Sequence, residues 1–149
     1  MRKKALNSFK CIFPALSVNE GFSRYITAAF ATILDLRINE IADLKTAVSE
    51  AVTNVIVHGY AKPEYDKNQK LVFLSGDFYS GGKVVITIKD KGCGIENVDK
   101  AMEPLYTTAP EEERSGMGFT IMQALVDDMK VISKPGKGTT VRLTKKLKM

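Results

Sequence analysis

The chain has 149 residues, with 22 Lys and Arg against 17 Asp and Glu, for a formal net charge of +5. That length suits one domain, residues 1–149, which buries roughly 70% of its unfolded surface and needs neither disulfide nor structural metal to fold. Two cysteines, Cys11 and Cys93, and one histidine, His58, exclude a disulfide scaffold and a zinc site of Cys/His spacing; no apolar run nears the ~20 residues of a membrane span.

The N-terminal stretch sets the first expectations. Phe9 to Val18 is broken by Lys10, Pro14 and Ser17, unlike a signal-peptide core, so a cytoplasmic protein is expected. Excess positive charge gathers at the ends, in Arg2, Lys3 and Lys4 and in Arg142, Lys145, Lys146 and Lys148. No aromatic residue interleaves with the C-terminal run. It reads as a solvated strand and tail, and neither nucleic acid nor membrane is expected as a direct partner.

Residues 8–16 alternate Phe9, Cys11 and Phe13 with polar neighbours, which predicts a strand. Ser17 and Asn19 are candidate helix caps, and Glu20 follows Ser17 at the capping-box spacing. A helix is expected to about Leu36, carrying Phe22, Ile26, Ala29, Phe30 and Ile33 at helical period. A second helix starts at Asn39, with Ile41, Leu44, Ala47, Val48, Ala51, Val52 and Val55 as its apolar face and Gly59 as its stop. Residues 61–69 form a polar loop. Strands at 71–79 and 83–90 make a hairpin across Ser80-Gly81-Gly82. Residues 91–115 are irregular, a length that in a compact domain marks a functional loop. A helix spans 116–128, and strands at 130–133 and 139–143 flank a Pro135–Gly138 turn. This order predicts an α+β, two-layer α/β sandwich: helices on one face of a mixed, mostly antiparallel sheet. No internal repeat or linker interrupts it.

Three sites carry candidate chemistry. Glu50 and Asn54 are four apart and share a helix face bordering the core, with His58 one turn further along. Asn54 is a poor helix-interior residue whose amide oxygen suits Mg²⁺, and Glu50 suits a general base. Asp90-Lys-Gly92-Cys-Gly94 puts a carboxylate at a strand end, able to accept from an exocyclic amine, beside glycines that admit a flat ring. With average glycine usage a lone G-x-G is expected roughly 0.7 times in such a chain, and roughly 0.04 times with an aspartate two residues before it. Arg114-Ser115-Gly116-Met117-Gly118 puts a glycine pair at a helix start, where backbone N–H groups and the helix dipole favour phosphate, with Arg114 as a phosphate clamp or a partner of Glu111–Glu113. It is neither a Walker A loop nor a dinucleotide fingerprint. Gly136-Lys-Gly138-Thr139 is a hairpin turn whose threonine hydroxyl is able to face the pocket of Asp90. Singly, each pattern also describes ordinary helix surface or turn.

Together these motifs resemble the Bergerat-fold ATP-binding superfamily, which includes gyrase B, histidine-kinase catalytic domains and anti-sigma serine kinases. The likeness runs over nearly the whole chain. VSEAVTNVIVHGY (48–60), PLYTTAPEEE (104–113) and ERSGMGFTIM (113–122) are similar to the anti-sigma F family of sporulation serine kinases. The resemblance implies Asn54 as the Mg²⁺ ligand, Glu50 as the catalytic base, and Asp90 with Gly92, Gly94 and Thr139 at the adenine. It implies Ser115, Gly116, Met117 and Gly118 at the phosphates, Arg114 at the γ-phosphate, residues 96–115 as an ATP lid, and Arg24 in partner contact. It also implies ATP and Mg²⁺ as cofactors, a sporulation sigma factor and a serine-bearing anti-anti-sigma protein as partners, and a homodimer through the N-terminal region. Lys91 and Cys93 depart from the family pattern. Other readings are a general-stress-type anti-sigma kinase, an ATP-gated sigma-binding module with no significant kinase activity, and a detached histidine-kinase catalytic domain. The last suffers because no helix ahead of the motifs carries a phosphoacceptor histidine.

Overall fold

Alternating residues on the first strand give it one apolar face, and the structure, a computed structural model describing residues 4–62, 64–103 and 118–147, turns that face toward the helices. The elements in order are β1 (Asn7–Pro14), α1 (Val18–Ile33), α2 (Ile38–Asn54), a π turn (Val55–Gly59), a 3₁₀ turn (Lys67–Gln69), β2 (Leu71–Tyr79), β3 (Lys83–Lys89), α3 (Val98–Ala101), α4 (Gly118–Leu125), β4 (Asp128–Lys134) and β5 (Gly138–Lys146). The five strands form one sheet ordered β1-β2-β3-β5-β4. Where the sequence allowed for a mixed sheet, all four pairings are antiparallel.

Helix α2 lies between α1 and α4 and over β3 and β5. Its Leu44, Ala47, Val48, Ala51 and Val52 are buried against Val72, Leu74, Val84, Ile86, Ile88, Val141 and Leu143 of the strands and Met122 of α4. Every one of the expected α2 core positions from Leu44 to Val55 is buried. At the β1 edge, Phe9 meets Phe30 edge-on at 4.9 Å and Phe13 meets Phe22 at 5.5 Å. Gly76 in β2 is where a side chain would strike the Phe9 ring, which accounts for a glycine inside a strand.

Several boundaries differ from the sequence reading, each for a local reason. Ser17 makes no side-chain cap bond. Glu20 instead accepts from Ser49 of α2 and pairs with Arg24, so the expected capping box gives way to a tertiary link. Helix α1 stops at Ile33 because Asp35 takes a left-handed conformation (φ 58°), and Leu36 then donates back to the Ala31 carbonyl at 3.2 Å. Helix α2 starts at Ile38, with the Glu40 carboxylate accepting the Arg37 N–H at 2.8 Å. It does not run as an α-helix to Gly59; its last five residues widen into the π turn. Lys145, read as part of a solvated tail, is half-buried: its ammonium donates to the Leu125 carbonyl at 2.8 Å and to Asp43 at 3.1 Å.

Candidate functional site

Glu50 and Asn54 fall on one face of α2, as their spacing demands. What they face is the first residue of α4. A Cβ on Gly118 would sit 3.2 Å from Asn54 Oδ1, 3.3 Å from its Nδ2 and 3.6 Å from Glu50 Oε2. The start of α4 therefore lies directly on the amide and the carboxylate, a closeness that depends on a residue with no side chain. The two oxygens are hard donors, suited to a cation such as Mg²⁺ that takes few protein ligands. Among the described residues no group of three or more His, Cys, Asp and Glu assembles a metal cage.

The π turn opens at Val55, directly after Asn54. A π turn bonds i to i+5, so the i+4 arithmetic that set His58 on the Glu50/Asn54 stripe no longer applies past Asn54. The turn instead offers its carbonyls to the loop after β3. Cys93 donates its N–H to the Gly59 carbonyl at 2.8 Å and its thiol to the His58 carbonyl at 3.3 Å. Gly136 then donates to the Cys93 carbonyl at 2.7 Å.

Asp90 sits one residue past β3, with 3% of its surface exposed. Its backbone N–H bonds the Thr139 carbonyl at 2.9 Å, and its Oδ1 accepts the Gly92 N–H at 2.8 Å. Burial raises its carboxyl above the ordinary carboxylate value, against the lowering pull of backbone bonds from Gly92 and Thr139. A Cβ on Gly59 would come within 3.3 Å of its Oδ2. The last turn of α2 thus touches the α4 start, and its π extension touches Asp90.

The glycines of this loop serve backbone-to-backbone contact as well as room for a ring. A side chain on Gly92 would overlap the Gly59 carbonyl, one on Gly94 the Lys134 carbonyl, and one on Gly138 the Asp90 carbonyl. Gly94 and Gly138 also have positive φ, 73° and 94°, a region other residues rarely adopt. Gly136 is different: open space surrounds it, and it simply makes the turn.

Thr139, near the start of β5, joins this corner through its carbonyl, which accepts the Asp90 N–H. Its hydroxyl lies 2.8 Å from that of Ser133, which also accepts the Ile95 N–H at 2.8 Å and donates to the Gly138 carbonyl at 3.0 Å. Ser133 thereby fixes both the threonine and the chain leaving Gly94. Tyr60, after the π turn, donates its hydroxyl to the Leu71 carbonyl at 2.6 Å and accepts the Lys91 N–H at 2.9 Å. Burial pushes its phenol above the usual range, which keeps it a donor. Sequence reasoning passed over Gly59, Tyr60 and Ser133 as site residues. The first two stand at the end of the stretch already singled out, while Ser133 carried no signal beyond facing Thr139 across a hairpin.

Arg24 is on the exposed side of α1, its Nε 3.1 Å from Glu20. Arg114, Ser115, Gly116 and Met117, and the expected lid from 104 onward, lie outside the described residues. The lid's beginning contains α3, capped by Asn97, whose Oδ1 accepts the Lys100 N–H at 3.0 Å. No helix among the described residues is long and apolar enough to cross a membrane.

Comparisons with known proteins bear on the family and the fold. The model of the histidine kinase-like ATPase domain family matches residues 15–145. The chain is 52% identical over 139 residues to the anti-sigma F factor of Thermoanaerobacter sp. (strain X514), covering 93% of each. It is 48% identical over 141 residues to that of Clostridium perfringens (strain SM101 / Type A), covering 95% of this chain and 97% of the relative. Among solved structures, the RsbU and RsbW domains of a Mycobacterium tuberculosis protein match with a TM-score of 0.69 at 20% identity, over 95% of this chain and 32% of that one; this likeness speaks to fold.

Proposed function

The chain belongs to the anti-sigma F factor family, built on the histidine kinase-like ATPase domain, and from that premise we propose that it is an ATP-dependent protein serine kinase that also sequesters a sporulation sigma factor. Its substrate is a serine on an anti-anti-sigma protein. The observation that carries the reading is the two-ended contact of one helix: Glu50 and Asn54 against Gly118, and Gly59 against Asp90.

Bound Mg²⁺–ATP supplies the γ-phosphoryl group and the cation that neutralises its charge. The residues supply the rest. Asp90 accepts a hydrogen bond from the adenine amine in a buried corner, where an analogue without that donor leaves the carboxylate unpaired. Asn54 Oδ1 holds the cation. The N–H groups at the start of α4 would serve the phosphates, as would Arg114, which lies outside the described residues. Glu50, beside Gly118, takes the proton of the incoming serine hydroxyl.

Exposed residues support the partner side of the proposal. Arg24, paired with Glu20 along the exposed side of α1, serves both partners, so that sigma release follows from competition for one surface. Leu16, Val18, Phe22 and Tyr25 are exposed beside the β1 edge, as is Ile12 on it. A homodimer through this N-terminal region covers them. The setting is the cytoplasm, where a sigma factor is met.

The test is incubation with γ-labelled ATP, Mg²⁺ and a purified anti-anti-sigma protein, with Glu50→Ala beside the wild type. Serine labelling that falls roughly 10²- to 10⁴-fold in the variant while ATP still binds supports the kinase and its base. ATP binding without labelling in the wild type rejects the kinase and leaves an ATP-gated sigma-binding module.

A further inference from the structure

Tyr60 is 5% exposed and its hydroxyl is used twice, toward the Leu71 carbonyl that opens β2 and the Lys91 N–H that follows Asp90. The Lys91 backbone is gripped from other sides as well. Its side chain reaches back over the Phe73 ring of β2, with Nζ 5.0 Å from the centroid. Its Cα lies 2.8 Å from where a Cβ on Gly138 would stand. Lys91 is thus pinned between β2 and the β4–β5 hairpin, and its two chain neighbours are Asp90, which carries the buried carboxylate, and Gly92, which donates to it.

We propose that Tyr60 is a positioning residue for base recognition: its hydroxyl, bridging β2 to Lys91, sets the depth at which the Asp90 carboxylate meets the amine of a 6-aminopurine. The proposal rests on the adenine-nucleotide reading of the site. The mechanism is geometric. A hydroxyl that accepts from one strand end and donates to another fixes their separation in two directions. A carboxylate hydrogen bond loses strength when its acceptor moves by a few tenths of an ångström or tilts. Tyr60 bonds the start of β2 and the loop after Asp90, whereas the α4 start meets Glu50 and Asn54, further back in the chain. Its influence is therefore confined to the base. The ring itself is held independently, edge-on to Tyr65 with centroids 5.3 Å apart at 81°. Tyr60→Phe consequently removes the bridge and keeps the packing. Tyr65 belongs to the polar 61–69 stretch, so this loop gains a role as well, backing the ring that aims the adenine loop.

The experiment measures ATP affinity by calorimetry and GTP affinity by competition for the full chain, its Tyr60→Phe variant and an Ile86→Val variant. Ile86 is a buried β3 residue away from the loop and serves as a control of reduced stability, with thermal unfolding followed for all three. The expected result is a loss of ATP affinity of roughly 3- to 10-fold in Tyr60→Phe with GTP changed by no more than about twofold, the size of one lost hydrogen bond expressed at the base alone. The ATP-to-GTP ratio falls in Tyr60→Phe and holds in Ile86→Val. Where labelling is measurable, KM for ATP rises and kcat holds. Equal losses for both nucleotides, an unchanged ATP affinity, or the same fall in ratio for Ile86→Val would each overturn the proposal while the wild type still binds ATP. A wild type that binds no ATP removes the functional reading and this proposal together.

Discussion

Replacing Asp90 by Asn separates function from stability at a single position. The carboxylate is 3% exposed and accepts the Gly92 N–H at 2.8 Å through Oδ1. Its pKa is raised by burial, so the folded state holds the Asp90 proton more tightly than the unfolded chain does. Stability from this group is therefore fully present below the unfolded value of about 3.9 and is lost as pH rises through the folded value. Wherever the folded protein carries this carboxyl as an anion, burial makes that charge a cost to stability. Asparagine removes that charge at constant volume, and its single oxygen can keep the Gly92 bond. Its amide nitrogen then points where the adenine amine arrives, setting donor against donor. A hydrogen bond to a charged acceptor contributes about 1.5–3 kcal/mol, so ATP affinity should fall roughly 10- to 100-fold. The melting temperature at pH 7 should hold or rise, and the difference from wild type should close as pH drops toward about 4. Calorimetric titration with ATP and a pH series of thermal melts give both quantities. Unchanged ATP affinity would refute Asp90 as the base reader; a large loss of stability at pH 7 would refute the account of its burial.

Three further outcomes are expected from the same geometry. Gly118→Ala places a methyl 3.2 Å from Asn54 Oδ1 and 3.6 Å from Glu50 Oε2; with flexible side-chain ends as neighbours, the fold should survive while phosphorylation falls about 10²-fold through misplacement of those groups, as a labelling time course would measure. Gly92→Ala drives a methyl into the Gly59 carbonyl, and since backbone cannot swing aside, urea unfolding should show a loss of about 3 kcal/mol or an absence of folded protein. Lys145→Met removes the donor to the Leu125 carbonyl at the α4 C-terminus and the partner of Asp43; Asp43 is a third exposed, so the ion pair is discounted, and the total cost in urea unfolding should be about 1 kcal/mol.

The readable parts of the sequence were those whose physics is periodic or local. Helical spacing from Leu44 to Val55 gave the face of α2 that the sheet buries, and Ser80-Gly81-Gly82 gave the β2–β3 hairpin. The Glu50/Asn54 pairing followed from i+4 geometry alone. The glycines were legible as a pattern but less so in their purpose. A ring-binding loop and a loop packed backbone-on-backbone both demand glycine, and only the fold sets Gly92 on Gly59 and Gly138 on Asp90. Tertiary bonds escaped altogether. Glu20 sat at a capping-box position, but a partner from α2, Ser49, competes for its carboxylate. Lys145 looked like one cation in a basic tail until β5 brought it to the end of α4. The π turn was invisible because Val-Ile-Val continues the apolar pattern of an α-helix, and nothing in that run marks a change of bonding.

The π turn is nevertheless what lets one helix meet both the start of α4 and the loop after Asp90. From Glu50 to Asn54 the axis rises about 6 Å at about 1.5 Å per residue, and the wider π turn carries it on to Gly59. At the first end the α geometry stacks Glu50 under Asn54, so acid and amide meet Gly118 together. At the second end side chains would be in the way, because the loop after Asp90 must approach to hydrogen-bond distance. The wider turn presents carbonyls instead, and Gly59 and His58 are met by the N–H and thiol of Cys93. Cys93 therefore acts mainly through its backbone, and its thiol adds a bond to the His58 carbonyl. The stretch from Glu50 through the π turn to Gly59 thus sets the separation of the α4 contact and the Asp90 contact. On the proposed reading, the loop bonded to the π turn would read the base, and Glu50 and Asn54 before it would serve the phosphate end.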